Sequence, residues 1–414
     1  MRKLILLALA PLARPQTIDL NAIIAEALER SPEIAAVRKQ YEAARSRPDQ
    51  ASALPDTTLS LGYWSNGRPW PGAGLGREPT SNLGFTVAQE FPAPGKRKLR
   101  GDVAAKEAQA EFELYQAAQL GVVARIKQAY FKLAHSYLVA DVLDRSRTLL
   151  AQLLQIAQVR YTVGKAQQQD LFKAQTQLSI VEARLIQQRQ ERATRENEIL
   201  SLLNRPPSDK LAGRPALPLM SHPTKSLDEL FRMAAQNSPV LRRDEKMIER
   251  GQLALNLARK DYYPDYTLSG GYYNMGGLAD MYQFQVSFKL PTSSFRKQRP
   301  ALAEQSARIA QSRQMLQADS QSLAFRIKDE YLMWETSHRL MKLYEDTVVP
   351  QASLALESSL ASYETGAVDF LSVLTNFISI LEYEMNYHEQ MLAGHLAMTR
   401  LEEITGIRLA EDRP

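Results

Sequence analysis

The chain carries the same series of sequence landmarks twice, about 200 residues apart. Residues 125–130 (RIKQAY) return as residues 326–331 (RIKDEY), and residues 161–164 (YTVG) return as residues 363–366 (YETG). A period of this length exceeds that of a solenoid unit and indicates an internal duplication. The predicted domains are a first structural repeat over residues 17–205, a linker over residues 206–226 and a second structural repeat over residues 227–408.

Each repeat contains two short segments in which apolar residues alternate with small or polar ones. Alternation with a period of two predicts β-strands that have one apolar face and one polar face. The apolar positions of the four predicted strands are Leu59, Leu61, Tyr63, Leu83, Phe85, Val87, Leu268, Tyr272, Phe284, Val286 and Phe288.

Each repeat also ends in unusually long helical segments. There is no proline between Leu99 and Val163, which allows one helix of roughly 60 residues, or about 90 Å. After Gly164 apolar residues recur at alternating spacings of three and four, which is the pattern of a coiled-coil seam. Pro350 predicts a kink or break in the corresponding helix of the second repeat.

Composition argues against several classes of function. The 51 basic and 46 acidic residues leave a net charge of only +5, too mild to indicate a nucleic-acid partner, and the chain contains no cysteine. No nucleophile–base pair, paired carboxylates or cofactor fingerprint is found, so the chain is predicted not to be an enzyme and to bind no cofactor.

Glu384, His388 and His395 have helical spacings that could present a metal face. With five histidines in all, no metal site is predicted.

Both the N-terminus and the predicted strands indicate an envelope protein. Arg2 and Lys3 precede the apolar residues 4–10, and Ala13 offers a cleavage position, so residues 1–13 are predicted to be a signal peptide. Strands of about nine residues can cross a bilayer when tilted. Membrane barrels begin at about eight strands, and open sheet edges in lipid leave backbone groups unpaired, so four strands demand an oligomer.

The duplicated helix–strand–strand–helix–helix unit, with a Tyr-x-x-Gly turn between the long helices of each copy, resembles the TolC-like outer-membrane efflux factor family. The resemblance implies an α+β membrane protein with a long α-helical coiled-coil barrel and four transmembrane β-strands per protomer. It implies a homotrimer that closes a twelve-stranded β-barrel in the outer membrane of a Gram-negative bacterium and extends into the periplasm.

The same resemblance implies a function and partners. The chain would be the passive conduit of a tripartite efflux system, in contact with outer-membrane lipid, a periplasmic adaptor protein and an inner-membrane pump. Residues 89–96 (QEFPAPGK) are similar to the strand-to-helix passage of the heavy-metal efflux branch, which makes metal cations one candidate cargo. The alternatives are the export duct of a type I secretion system and a non-membrane coiled-coil scaffold.

Site residues also follow from the resemblance. Tyr161, Gly164, Tyr363 and Gly366 would lie at the periplasmic tip, where the adaptor docks. Relatives often carry aspartates six and nine residues beyond the second glycine, where they narrow the aperture. The candidates for such an aperture in this chain are Asp170 and Lys173 in the first copy, and Asp369, Ser372 and Thr375 in the second.

Overall fold

A computed structural model describes residues 17–218 and 225–409, so the predicted signal peptide at residues 1–13 lies outside the described residues. In chain order the elements are α1 (Leu20–Arg30), α2 (Pro32–Arg45), α3 (Arg47–Ser52), β1 (Thr58–Trp64), β2 (Asn82–Phe91), α4 (Lys96–Thr162), α5 (Gln168–Leu202), α6 (Leu227–Asn237), α7 (Pro239–Lys260), β3 (Asp265–Asn274), β4 (Met281–Lys289), α8 (Gln298–Leu343), α9 (Val349–Thr365) and α10 (Phe370–Thr405). Short helices, two strands and long helices therefore follow one another twice, in the order that the predicted repeats require.

Each half begins with a pair of helices separated at a Ser-Pro step. Ser31 ends α1 with a ψ of 120°, and Ser238 ends α6 with a ψ of 118°. The residue before a proline is pushed out of the helical region, while the proline itself fits the first turn of the next helix. The same local chemistry therefore produces the same helix boundary in both halves.

The four strands form one antiparallel sheet in the order β1-β2-β3-β4. In one row across the sheet, Leu61 lies opposite Phe85, Phe85 opposite Tyr272, and Tyr272 opposite Tyr282. Directly paired residues point to the same side of a sheet, and alternate residues along a strand return to that side. All eleven apolar positions singled out from the sequence consequently lie on one face. The opposite face carries small and polar residues that include Ser60, Thr86, Gly271 and Gln283.

The long helices match the sequence pattern closely. Helix α4 has 67 residues, which corresponds to about 100 Å at 1.5 Å per residue. The predicted break near Pro350 takes the form of a π-helical turn, Tyr344–Val348, between α8 and α9. Proline lacks the N–H of the α-helical ladder and its ring crowds the preceding turn, which accounts for the interruption at this position.

The chain divides into two compact units, and each unit takes residues from both halves of the sequence. The first unit combines the described residues up to Ala35 with Ala117–Ser238 and the described residues from Gln321 onward. The second unit combines Ala36–Gln116 with Pro239–Ser320 and contains the whole sheet. Within the described residues, none of the helices is both long and apolar enough to cross a bilayer.

The first unit has a core made where the long helices pack together. Buried side chains of α4, α5, α9 and α10 form one apolar cluster. The seam predicted after Gly164 lies in it, with Ala174, Val181 and Leu185 buried, and Leu171 and Leu178 packed against them. The alternating spacing of three and four therefore marked the buried stripe of α5 correctly. This core holds the two turns that join the long helices.

Candidate functional site at the helix–helix turns

The first turn reverses the chain between α4 and α5. Gly164 has a φ of +73°, a left-handed conformation that glycine adopts without a clash between a Cβ and the backbone. The Gly164 N–H donates to the Tyr161 carbonyl at 3.0 Å, and the Lys165 N–H donates to the Arg160 carbonyl at 2.8 Å. These two bonds satisfy carbonyls at the end of α4 in the manner of a Schellman cap.

The second turn joins α9 to α10 with the same backbone. Gly366 has a φ of +82°, and its N–H donates to the Tyr363 carbonyl at 3.0 Å. The Ala367 N–H donates to the Ser362 carbonyl at 2.9 Å. The two glycines singled out from the sequence thus end helices by one mechanism, and the duplicated Tyr-x-x-Gly motif has a duplicated local structure.

The two tyrosines of the motif have different surroundings. The Tyr161 side chain is 42% exposed, whereas Tyr363 is 4% exposed and packs edge-on against Phe370 with ring centroids 5.6 Å apart. Desolvation raises the pKa of Tyr363, against the opposing influence of the Arg160 guanidinium. Tyr161 is therefore a surface residue, while Tyr363 is part of the core beneath the turns.

Arg160 connects the first turn to the second. One of its guanidinium nitrogens, Nη1, donates to the Tyr363 carbonyl at 2.5 Å and to the Glu364 carbonyl at 2.8 Å. The guanidinium carbon also lies 4.6 Å from the centre of the Tyr363 ring. A cation at the C-terminus of α9 satisfies its last carbonyls and interacts favourably with the helix dipole. Sequence reasoning missed this residue. The available signal was that its counterpart in the second copy is Ser362, a mismatch directly before the shared tyrosine.

Asp369, an aperture candidate, caps the start of α10. Its Oδ1 accepts the Ser372 N–H at 3.1 Å and also accepts the Ser372 hydroxyl. These hydrogen bonds from Ser372, helped by the positive charge of Lys173, lower the pKa of Asp369. The structure thus brings three of the five aperture candidates into one electrostatic group.

The other two candidates interact within their own segments. The Asp170 carboxylate accepts the Gln167 N–H at 3.4 Å at the start of α5. The Thr375 hydroxyl donates to the Leu371 carbonyl at 2.8 Å, one turn back in α10. Each of these contacts supports a helix, and the aperture itself stays a prediction.

The histidines weighed as a metal face interact with protein groups. His395 Nε2 lies 2.9 Å from the Pro218 carbonyl, and burial lowers the pKa of His395 to about 4. A neutral imidazole protonated at Nε2 donates this bond. Glu384 forms a long ion pair of 3.7 Å with Arg145. Across residues 17–218 and 225–409, no group of three or more His, Asp or Glu side chains is placed to hold a metal ion.

The sheet with one apolar face, the long paired helices and the glycine turns together define the architecture of an outer-membrane export channel. A family model described as "Outer membrane efflux protein" matches residues 23–205 and 230–406. The chain belongs to this family, which confirms the prediction from the duplicated motifs. It is a channel subunit of a tripartite efflux system, located in the outer membrane and extending into the periplasm.

The chain is also similar to individual proteins. The chain is 23% identical over 327 residues to the cobalt-zinc-cadmium resistance protein CzcC of Cupriavidus metallidurans, an alignment covering 75% of this chain and 74% of that protein. The outer membrane protein VceC of Vibrio cholerae superimposes with a TM-score of 0.80 at 19% identity, covering 94% of this chain and 97% of VceC. CusC superimposes with a TM-score of 0.81 at 16% identity, covering 96% of each chain. These solved structures share the fold.

Proposed function

We propose that the chain acts as a homotrimer and that three copies of its sheet close one twelve-stranded barrel. The observation that carries this proposal is that β1 and β4 are the outer strands of the sheet, each paired on one side within the described residues. Backbone groups left unpaired in lipid cost several kcal/mol each. Pairing of β1 from one copy with β4 of the next removes this cost and joins the copies into a ring.

The apolar face of the sheet is the proposed lipid-facing surface. Its side chains include Phe284, which is 77% exposed, and the opposite face carries small and polar residues suited to a water-filled lumen. The trimer is then a passive conduit without enzymatic activity. A periplasmic adaptor and an inner-membrane pump supply the coupling to energy.

Two substitutions at neighbouring positions of β4 test which face of the sheet contacts lipid. Phe284→Arg puts a charge on the proposed lipid face and should cost about 2–4 kcal/mol per chain near the membrane midplane, with loss of trimer from the membrane fraction. The matched control Gln285→Arg lies on the opposite face and should assemble normally. Equal assembly of both variants, or a wild-type chain that purifies as a detergent-free monomer, would contradict the barrel.

The adaptor is proposed to dock on the two turns. Val163 is 61% exposed beside Tyr161, and a Cβ added at Gly164 would meet nothing within 4 Å, so the first turn offers open apolar surface. Gly366 belongs to the same surface, while Tyr363 supports it from the core. A photo-reactive residue at Tyr161 should cross-link to the adaptor. The same residue at Trp64, 72% exposed in β1, should not, and equal yields at both positions would contradict docking at the turns.

Metal cations are the proposed cargo class. The support is the similarity to a protein named for cobalt, zinc and cadmium resistance, together with the QEFPAPGK segment. Loss of the chain should sensitise its host to these cations and leave tolerance of hydrophobic dyes unchanged. Sensitivity to dyes alone would assign the channel to another efflux branch.

A further inference from the structure

Two carboxyl groups from different helices lie together in the second compact unit. Asp244 of α7 is only 5% exposed, and it contacts the same guanidinium nitrogen as Asp319 of α8. Nη2 of Arg243 donates to Asp244 Oδ1 at 2.6 Å and lies 3.5 Å from Asp319 Oδ2. The guanidinium of Arg243 therefore contacts both aspartates.

The second oxygen of Asp244 lacks a donor. Both contacts from Arg243 go to Oδ1, and within the described residues the buried Oδ2 has no hydrogen-bond partner. A buried carboxylate oxygen without a donor is costly, and two neighbouring carboxylates disfavour ionisation of both. A proton on one of the two carboxyls would supply the missing donor and remove the repulsion.

The close packing of α7 against α8 holds the two acids near each other. A Cβ added at Gly251 of α7 would lie 2.9 Å from Cγ1 of Ile309 in α8, so the glycine permits an unusually close approach. The two helices also flank the β3–β4 hairpin in sequence, which ties their ends to the same sheet. If both carboxyls were ionised, their mutual repulsion could be reduced only by separating closely packed helices.

The neighbouring charged groups are engaged with other partners. A cavity of about 480 Å³ beside Asp244 is lined by Arg243, Arg250, Glu107 and Glu111 among others. Glu107 accepts from Arg47 at 3.0 Å, and its other oxygen lies 3.6 Å from Arg250.

Two further groups of α4 complete these surroundings. Glu111 accepts from Gln40 at 2.9 Å, and Glu113 pairs with Arg242 at 3.0 Å. The nearby cations Arg250 and Arg242 thus form ion pairs with acids of α4, and Arg243 contacts the two aspartates.

We propose that Asp244 and Asp319 form a proton-binding site, in which one shared proton joins α7 to α8 and its release at higher pH loosens that contact. The site goes beyond the conduit function and does not depend on trimer formation.

The electrostatics of the site agree with this geometry. Desolvation raises the pKa of Asp244, and the Asp319 carboxyl raises it further against the opposing effect of Arg243. An acid with a raised pKa in the folded state holds a proton that the unfolded chain has released. Stability is therefore full at low pH and is lost as the pH rises through the folded pKa.

Infrared spectroscopy and thermal unfolding of the purified full chain test the site together. In a pH series that starts at the usual aspartate pKa of about 3.9, the wild-type chain should show a protonated-carboxyl band that titrates above this value. Asp319→Asn should remove this band, because the remaining Asp244 accepts from the new amide and ionises. The unfolding midpoint of the wild type should fall over the same pH range in which this band disappears, and Asp319→Asn should abolish that fall.

A matched control separates the pair from other aspartates. Asp329→Asn changes an exposed aspartate of the same helix and should leave both the band and the pH dependence intact. Absence of a wild-type band attributable to Asp319, or an equal loss of midpoint at every pH in Asp319→Asn, would show that both acids are ionised and held by Arg243.

Discussion

The two helix–helix turns share one backbone and differ in what supports it. Both end a helix at a glycine with positive φ and close it with the same pair of hydrogen bonds. The first turn leaves its tyrosine on the surface and sends Arg160 across to the second, whose own tyrosine is buried. The duplicated motif therefore encodes the chain reversal. Arg160, which lies directly before the motif in the first copy, lets the first turn stabilise the second.

The helices that follow the two turns likewise share one feature, a carboxylate at the helix start, that different positions supply. In α10 the carboxylate of Asp369 at the N-cap accepts from Ser372, three residues on. In α5 the carboxylate belongs to Asp170 at the corresponding later position and accepts from Gln167 behind it. Position by position, the second copy has Ser372 where the first has Asp170. In the structure, each helix start keeps one carboxylate, which suits the positive end of the helix dipole.

The largest effect is expected from breaking the link between the turns. Arg160→Ala removes two charge-assisted hydrogen bonds to carbonyls of α9 and a cation–π contact, which together should cost about 2–3 kcal/mol. The measurement is the free energy of unfolding of the assembled protein by denaturant. Ser362→Ala, at the corresponding place in the second copy, should change it by less than about 0.5 kcal/mol. Equal effects would mean that the two turns are supported alike.

A smaller and equal effect is expected from the two glycines. Gly164→Ala and Gly366→Ala each force a Cβ into a left-handed backbone conformation, at a cost of about 1 kcal/mol. Added Cβ atoms would find open space at Gly164 and an ordinary 3.5 Å contact with Arg160 at Gly366, so sterics add little at either site. A cost at one glycine several times that at the other would contradict the shared backbone mechanism.

The smallest effect is expected at the helix starts. Asp369→Ala should lower the unfolding midpoint more than Asp170→Ala does, because the Asp369 contact is the shorter one. The pKa of Asp369 is lowered by its bonds from Ser372, so its contribution is present above the usual aspartate range and is lost as the pH falls through the lowered value. The difference between wild type and Asp369→Ala should therefore shrink in strong acid.

Asp369→Asn then separates the cap from the charge. Asparagine is about as good an N-cap as aspartate, so stability should be nearly retained while the negative charge is removed. Altered cation selectivity of this variant in bilayer conductance would support an aperture formed around Asp369. Unchanged selectivity would leave Asp369 with its capping role alone.

Much of this architecture was predictable from the chain alone, because short-range patterns encode it. The alternation around Leu61, Phe85 and Phe284 assigned each strand residue to a face, and the observed register preserves those faces. The length of α4, the buried seam of α5, the interruption before Pro350 and the two glycine turns were likewise read from local spacing. Local spacing likewise indicated that Gly164 and Gly366 end helices, while their place in adaptor docking stays a prediction.

Contacts between distant segments were not predictable in this way. Pairing of β2 with β3 brings together strands that a 67-residue helix and a linker separate in sequence. The Arg160–Tyr363 contact and the Asp244–Asp319 pair each depend on how two helices approach, which no spacing within one helix specifies.

The sequence by itself determined the elements, their duplication and the apolar face of every strand, since periods of two and of about 3.6 residues follow from backbone geometry. The tertiary structure alone decided that Tyr161 is exposed while Tyr363 is buried, that Asp369 accepts from Ser372 at the start of α10, and that two aspartates share one arginine. The reason is physical: the environment of a side chain, and hence its burial, partner and pKa, is created by residues that come together only when the chain is folded.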